Sequence, residues 1–251
     1  MQCLEFDGLR NARDLSQFEN IKEKKLIRSE ELNKLSEEDI KKMQDDYNVK
    51  VVIDLRTKKE RKHKDKLIPN AKYYNLPISN YKDLKNVSDK KLRKHKNGLF
   101  PNLCEYYRRL VSVEKKDFWT ELFKIFLENG KDGAILWHCV QGKDRTGVVA
   151  AVMSCCLGVD EQKVMDDYLY TNVNTKIPMK YRLLSIIFFF IGMRKEFLEL
   201  FTARKEYLES TIEYIKSKFG GFDGFLRDVC CIDDNKKAKL KSYFLMTKVE
   251  A

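Results

Sequence analysis

The run Val49-Lys50-Val51-Val52-Ile53-Asp54-Leu55 is β-branched and almost continuously apolar. That pattern predicts a strand buried on both faces, as in a parallel sheet, because a half-exposed strand would alternate. Ala134 to Trp137 (AILW) is a second, shorter run of the same kind, and Lys25 to Arg28 and Ala71 to Pro77 predict two more strands. Between the strands the period lengthens. Ser36, with acids at 37 to 39 ahead of Ile40 and Met43, carries the signature of a helix start, and that helix runs to about Asp46. From Glu105 to Asn129 the apolar positions Tyr106, Leu110, Phe118, Leu122, Phe123 and Phe126 keep a helical spacing that breaks near Ser112 and ends at Gly130. Val148 to Leu157 is small and apolar, as a buried helix requires. After residue 171 no strand pattern recurs; Tyr207 to Phe219 is amphipathic, Gly220-Gly221 interrupts it, and 224–231 and 236–246 read as short helices.

Strands alternating with helices predict an α/β fold: three layers, with a central, mostly parallel sheet flanked by helices and a helical C-terminal extension or lid. Nothing like a Pro/Gly linker precedes the helical tail, so residues 1–251 read as a single domain. Of the 251 residues, 43% are hydrophobic and 12% aromatic, enough for an ordinary core, which excludes wholesale disorder and collagen-like repeats. Basic residues outnumber acidic ones by 49 to 38, a net charge of +11. This suits a polyanionic partner such as a phosphorylated substrate, an anionic lipid or nucleic acid, and says nothing of fold. Two basic runs, 57–66 (TKKERKHKDK) and 89–97, read as solvated faces, the second inside a loop or loosely helical insertion over 80–100.

Leu183 to Met193 (LLSIIFFFIGM) is intensely apolar but about half the roughly 20 residues needed to cross a bilayer. Flanked by Lys180, Arg182, Arg194 and Lys195, it reads first as a core helix; the alternatives are a lid over the site, in an insertion at 171–200, or a patch that meets an anionic membrane surface. Seven cysteines without a CxxC pair argue against a disulfide framework or a zinc knuckle. With an N-terminus, MQCLEFDGLRNARDL, that lacks the apolar stretch of a secretory signal, the expected location is the cytoplasm.

The candidate chemistry lies at 138–147, His138-Cys139-Val140-Gln141-Gly142-Lys143-Asp144-Arg145-Thr146-Gly147, between a predicted strand and a predicted helix. A loop there turns its backbone N–H groups inward, and the helix N-terminus adds partial positive charge, so Val140, Gln141, Gly142, Lys143 and Thr146 are expected to hold a tetrahedral dianion. The same field favours a thiolate, which makes Cys139 the expected nucleophile. Arg145 can fold its planar fork over two phosphate oxygens, as a lysine cannot. Thr146 is placed to donate toward the sulfur, and His138 to pin the loop from behind.

The string HCVQGKDRTG resembles the HCxxGKxRTG signature of the cysteine-based protein tyrosine phosphatase superfamily, and its Asp144 is similar to the atypical bacterial and lower-eukaryotic branch. Leu9 to Leu15 (LRNARDL), Leu26 to Ser29 (LIRS), Val52 to Arg56 (VIDLR) and Phe219 to Leu226 (FGGFDGFL) resemble that branch's further motifs, with Ala12 in place of its usual aromatic. The likeness spans nearly the whole chain, but 80–116 and 171–200 match none of the branch's motifs.

The resemblance implies a phosphatase, independent of metal or other cofactor, that forms a cysteinyl-phosphate. Its expected substrates are phosphotyrosine proteins, extending to phosphoserine and phosphothreonine, and phosphoinositides. Asp144 is the expected general acid, because a carboxylate inside an anion-binding loop is costly unless used; Asp54, at the carboxyl end of its strand, is the rival. Lys143 is expected at the mouth of the site, in contact with ring phosphates or simply solvated, and Arg13 either in the pocket or in a surface salt bridge. The alternatives are a non-catalytic phospho-ligand or anionic-membrane binding protein and an RNA 5′-triphosphatase. No RNA-binding module with interleaved aromatics is present, so nucleic acid is not an expected partner. The sequence leaves the oligomeric state open.

Overall fold

The computed structural model describes residues 2–61, 64–79, 100–175 and 177–246. Five strands, β1 (Arg13–Asp14), β2 (Leu26–Ser29), β3 (Val49–Asp54), β4 (Lys72–Asn75) and β5 (Ala134–His138), form one sheet in the order β1-β2-β5-β3-β4. All neighbours run parallel except β1, which pairs antiparallel to β2 at the edge. Only β1 left no trace in the sequence pattern, because two residues are too few to show a period.

Ten α-helices surround the sheet among the described residues. They are α1 (Glu37–Asp45), α2 (Leu103–Leu110), α3 (Lys116–Asn129), α4 (Asp144–Leu157), α5 (Glu161–Asn174), α6 (Met179–Phe190), α7 (Arg194–Glu199), α8 (Lys205–Phe219), α9 (Phe222–Asp228) and α10 (Asp234–Phe244). The start of α1 is the capping box that Ser36 and Asp39 predict, with each side chain accepting from the other's backbone N–H. The break near Ser112 is a short 3-10 turn, Val113–Lys115, between α2 and α3. The insertion expected over 80–100 falls almost wholly outside the described residues.

The continuous apolar runs of the inner strands follow from helices on both faces. Leu26, Val51, Ile53, Ile135 and Trp137 point to the larger core with α2–α5 and α8–α10. Ile27, Val49, Val52, Ala134 and Leu136 point to a smaller core with Met43 of α1 and with Leu9, Leu32 and Leu35. A register shift between Val49 and Val51 sets Val49 and Val52 on the same side.

Residues 183–193 do not form the core helix expected of them. Of α6 only Ser185 is buried. Tyr181, Ser185 and Phe188, spaced i, i+4 and i+7, face α7 and the residues just beyond it, which fold back on α6 as a hairpin; Tyr181 stacks on Phe201 at 4.5 Å and Phe188 on Phe197 at 4.3 Å. The remaining apolar residues of α6 face outward.

Candidate active site

Three parallel strands bring Ser29, His138 and Asp54 side by side at the carboxyl edge of the sheet, where α/β folds assemble their sites. β5 ends at His138, and α4 begins at Asp144 with no side chain capping its first amides. Every carbonyl from His138 to Gly142 is tethered, four of them by groups outside the loop. Leu55 N donates to His138 O at 2.9 Å, Glu31 N to Val140 O at 3.3 Å, the Asn11 amide to Gln141 O at 3.0 Å and Arg28 Nη2 to Gly142 O at 2.8 Å. The His138 Nδ1 lies 3.2 Å from Cys139 O. Because a trans peptide sets N–H opposite C=O, carbonyls tethered outward turn the following amides into the hollow of the loop. Gly142 makes the turn at φ +64°, and a Cβ there would stand 2.6 Å from Ser29 O, so no other residue fits.

Cys139 lies at the base of this loop, 3% exposed. Arg145, on the first turn of α4, gives Nη1 to Glu60 Oε2 and Nη2 to Glu60 Oε1, both at 2.7 Å, and Nη1 also reaches Leu55 O at 3.3 Å. These bonds use both Nη1 protons and one on Nη2, leaving the edge formed by Nε and Nη2 for a second bidentate partner. Burial works against the Glu60 carboxylate, but Arg145 outweighs it and holds the Glu60 pKa below the ordinary value. Glu60 of the 57–66 run is therefore a wall of the site, while Lys58, Lys59, Arg61, Lys64 and Lys66 of that run are exposed as expected.

Beneath the loop lies a charged cluster in full burial. Asp167 of α5 receives Arg13 Nε at 2.8 Å, Arg28 Nη1 in a short contact and Gln17 Nε2 at 2.7 Å. Arg13 also donates to Asn11 Oδ1 and, at 3.0 Å, to Thr171 Oγ1. Arg13 thus lies neither in the pocket nor in a surface pair: it orients Asn11, which holds the loop. Two guanidiniums against one carboxylate leave one positive charge buried against the loop, a field that favours an anion there. Burial lowers the Arg28 pKa to about 10 even with Asp167 beside it.

Asp144 Oδ1 accepts from the Tyr107 hydroxyl at 2.5 Å, and that hydroxyl meets the Tyr168 hydroxyl at 2.7 Å. Tyr106, buried beside Tyr107 on α2, donates its hydroxyl to Ser79 O at 3.0 Å, and burial pushes its pKa well above the ordinary value. Lys143 departs from both expectations for it. It is 1% exposed, its ammonium pairs with Asp144 at 2.9 Å and donates to the carbonyls of Leu200 and Thr202 at 3.3 and 3.2 Å, so it is neither solvated nor presented at the mouth. Thr146 Oγ1 is buried without a hydrogen-bond partner and makes no bond to the sulfur.

Asp54 is clamped by its neighbour: Oδ1 accepts from Arg56 N and Nε at 2.9 and 3.0 Å, and Oδ2 from Arg56 Nη2 at 3.0 Å. The same Nη2 bonds Asp65. Asp54, Asp65 and His138 converge as three potential metal ligands, but the Arg56 guanidinium already occupies the place between the two carboxylates where a cation would sit. Burial raises the Asp65 pKa to about 6, aided by Asp54, and burial lowers that of His138 to about 4; His138 Nε2 faces Asp65 Oδ2 at 3.6 Å.

These shifts predict a pH effect with a defined sign. Between about pH 4 and 6 the folded protein carries a proton on Asp65, whereas the unfolded chain, with ordinary values of 3.8 and 6.5, carries one on histidine instead. The two proton counts match, so the pair contributes little slope to stability there. In Asp65→Asn only the histidine term remains, and stability should fall as pH drops from 6.5 toward 4, by on the order of 3 kcal/mol across that window. Urea unfolding at several pH values measures it; parallel slopes for variant and wild type contradict the assignment.

Comparison with known proteins agrees with this geometry. A family model described as "Tyrosine phosphatase family" matches residues 4–246, nearly the entire chain. The chain belongs to the tyrosine phosphatase family. It is 28% identical over 127 residues to a protein of Cupriavidus necator named as a candidate tyrosine-protein phosphatase, a match covering 50% of this chain and 45% of that protein. It is 31% identical over 106 residues to the triple specificity protein phosphatase of Mycobacterium tuberculosis, covering 38% of each. A tyrosine-protein phosphatase of Nostoc commune is 42% identical over 38 residues, 15% of this chain and 13% of the relative. The chain thus spans less than half the length of these relatives.

In this tyrosine phosphatase family member the structure brings Cys139, Val140, Gln141, Gly142, Lys143, Asp144, Arg145 and Thr146 into one loop and helix start, with His138 behind it. Asn11, Arg28, Glu60, Tyr107 and Asp167, which hold that loop and its first turn, were not among the residues that sequence reasoning selected. Asn11 and Arg28 lie inside the LRNARDL and LIRS motifs; Glu60, Tyr107 and Asp167 carry no local signal.

Proposed function

We propose that the chain hydrolyses phosphomonoesters without a metal ion, through a phosphoryl group carried on Cys139. The observation that supports this best is the loop whose carbonyls are tethered outward from His138 to Gly142, a backbone cradle for a tetrahedral dianion with a cysteine at its base. Substrate oxygens are bound by the loop amides and by the Nε and Nη2 edge of Arg145, which Glu60 fixes in orientation.

The Cys139 thiolate attacks phosphorus in line. An S–P bond forms, the P–O bond to the leaving group breaks, and Asp144 gives its proton to the departing oxygen. Water then attacks the phosphoryl group while Asp144 takes up a proton; the S–P bond breaks and inorganic phosphate leaves. Asp144 is preferred to Asp54 because both Asp54 oxygens are engaged by Arg56, whereas Asp144 stands on the loop's helix with Tyr107 orienting one oxygen.

The substrate class is phosphotyrosine in proteins, extending to phosphoserine, phosphothreonine and phosphoinositides. The triple specificity in the name of the mycobacterial relative supports this breadth. The test is phosphate release by the full chain, with a metal chelator present, from a phosphotyrosyl peptide, a phosphoseryl peptide and dispersed phosphoinositides. With a poor leaving group, Asp144→Asn should be slowed by about 10² to 10⁴, with a good leaving group far less. The same signature in Asp54→Asn instead would overturn the assignment, and no release from any substrate would overturn the function.

A further inference from the structure

Among the described residues thirteen large hydrophobic side chains are exposed, and eight of them lie between 179 and 191. They are not scattered. With Tyr181, Ser185 and Phe188 turned inward, the outer face of α6 presents Met179, Leu183, Ile187 and Phe190, at 65, 60, 62 and 79% exposure, and the hairpin tip adds Phe189 and Ile191. A soluble surface rarely carries so continuous an apolar patch unless something covers it.

Charge identifies the occupant. From Met179 to Lys195 the sequence has four cations, Lys180, Arg182, Arg194 and Lys195, and no acid. Docking a second copy on this face would bring two such cation sets together, with the nearest acids, Glu196 and Glu199, back on α7 and Glu199 already paired to Arg204, whereas an anionic lipid surface supplies the counter-charge. Beside the tip, Phe189, Leu198, Arg194 and Lys195 line a groove with Thr202 and with Glu199, whose charge is met by Arg204, so apolar groups and two cations with no ion-pair partner among the described residues stand together, as suits the boundary between headgroups and acyl chains. α6 has 12 residues, about 18 Å at the helical rise, and no described helix is long and apolar enough to cross a membrane. Entry into a single leaflet is what its length permits.

We propose that the α6–α7 hairpin is a membrane-docking element that lays its outer apolar face into one leaflet of an anionic bilayer. The segment that continues from the hairpin touches the phosphate loop, since Lys143 Nζ donates to the carbonyls of Leu200 and Thr202 just beyond α7. Docking therefore sets the loop beside the lipid surface. That consequence rests on the proposed phosphatase reading; docking itself does not.

Vesicle flotation of the full chain tests the proposal. Wild type should float with vesicles containing phosphatidylserine, and at least about tenfold less with phosphatidylcholine alone or at high salt. Ile187→Ser with Phe190→Ser should abolish flotation, and Lys180→Gln, Arg182→Gln and Lys195→Gln together should weaken it by on the order of a hundredfold. Both sets should retain wild-type turnover of a soluble aryl phosphate. Cys139→Ser should float like wild type, so a failure of the catalytic reading leaves this readout intact. No flotation, equal binding to neutral and anionic vesicles, binding that survives in the hairpin variants, or a dimer in ultracentrifugation that the same variants dissolve would each overturn it.

Discussion

Cys139→Ser should reduce phosphate release by at least about ten-thousandfold, the scale on which a catalytic unit fails when its nucleophile is removed. The serine hydroxyl is a far weaker nucleophile, and His138 cannot serve as its base, being neutral, fully buried and directed at the Cys139 carbonyl. Binding should survive. The proposed phosphate cradle consists of backbone amides and Arg145, and the carbonyl tethers from Asn11, Glu31, Arg28 and Leu55 do not involve the sulfur. The variant should therefore bind inorganic phosphate within about threefold of wild type, roughly 0.6 kcal/mol, while turning nothing over. Calorimetric titration separates the two quantities. If rate and binding are lost together, the cysteine is holding the loop and the separation of roles is wrong.

Asp167→Asn should cost about 3 to 5 kcal/mol of stability, because it strands Arg13 and Arg28 as buried charges facing a neutral amide. Burial alone would raise the Asp167 pKa, but Arg28 and Arg13 outweigh it and hold it below the ordinary 3.8. A depressed carboxylate contributes fully above its unfolded value and loses that contribution as pH falls through its folded one. The deficit of Asp167→Asn should thus be constant at neutral pH and shrink only below about pH 4. Urea unfolding across that range measures it. Phosphate binding should weaken in the same variant, since Arg28 holds the Gly142 carbonyl. A deficit under about 1 kcal/mol would mean that the cluster is not the keystone described here.

The strands and the reacting loop were legible because both are written contiguously. A continuous β-branched run has few readings, and ten consecutive residues place thiol, helix start and arginine in one piece. The scaffold was not, because its members meet only in three dimensions. Glu60 is one of two acids among the cations of TKKERKHKDK, a composition that ordinarily marks solvent. Asp167 follows Asp166, and the pattern does not say that one caps an exposed glutamine while the other neutralises two buried arginines. Lys143 became a buried residue only because carbonyls from 57 and 59 positions later close over it. For α6 the apolar character was plain, but hydrophobicity does not name the partner, and the fold turned only the 181, 185 and 188 positions inward.

The most direct test of the account is capture of the intermediate. Full-length protein turning over a good aryl phosphate is quenched with denaturant in the first moments of reaction, digested and read by mass spectrometry. A phosphoryl group on the peptide that carries Cys139, absent from Cys139→Ser and persisting longer in Asp144→Asn, is the predicted result. Active turnover with that peptide unmodified, or with phosphate found on another residue, would contradict it.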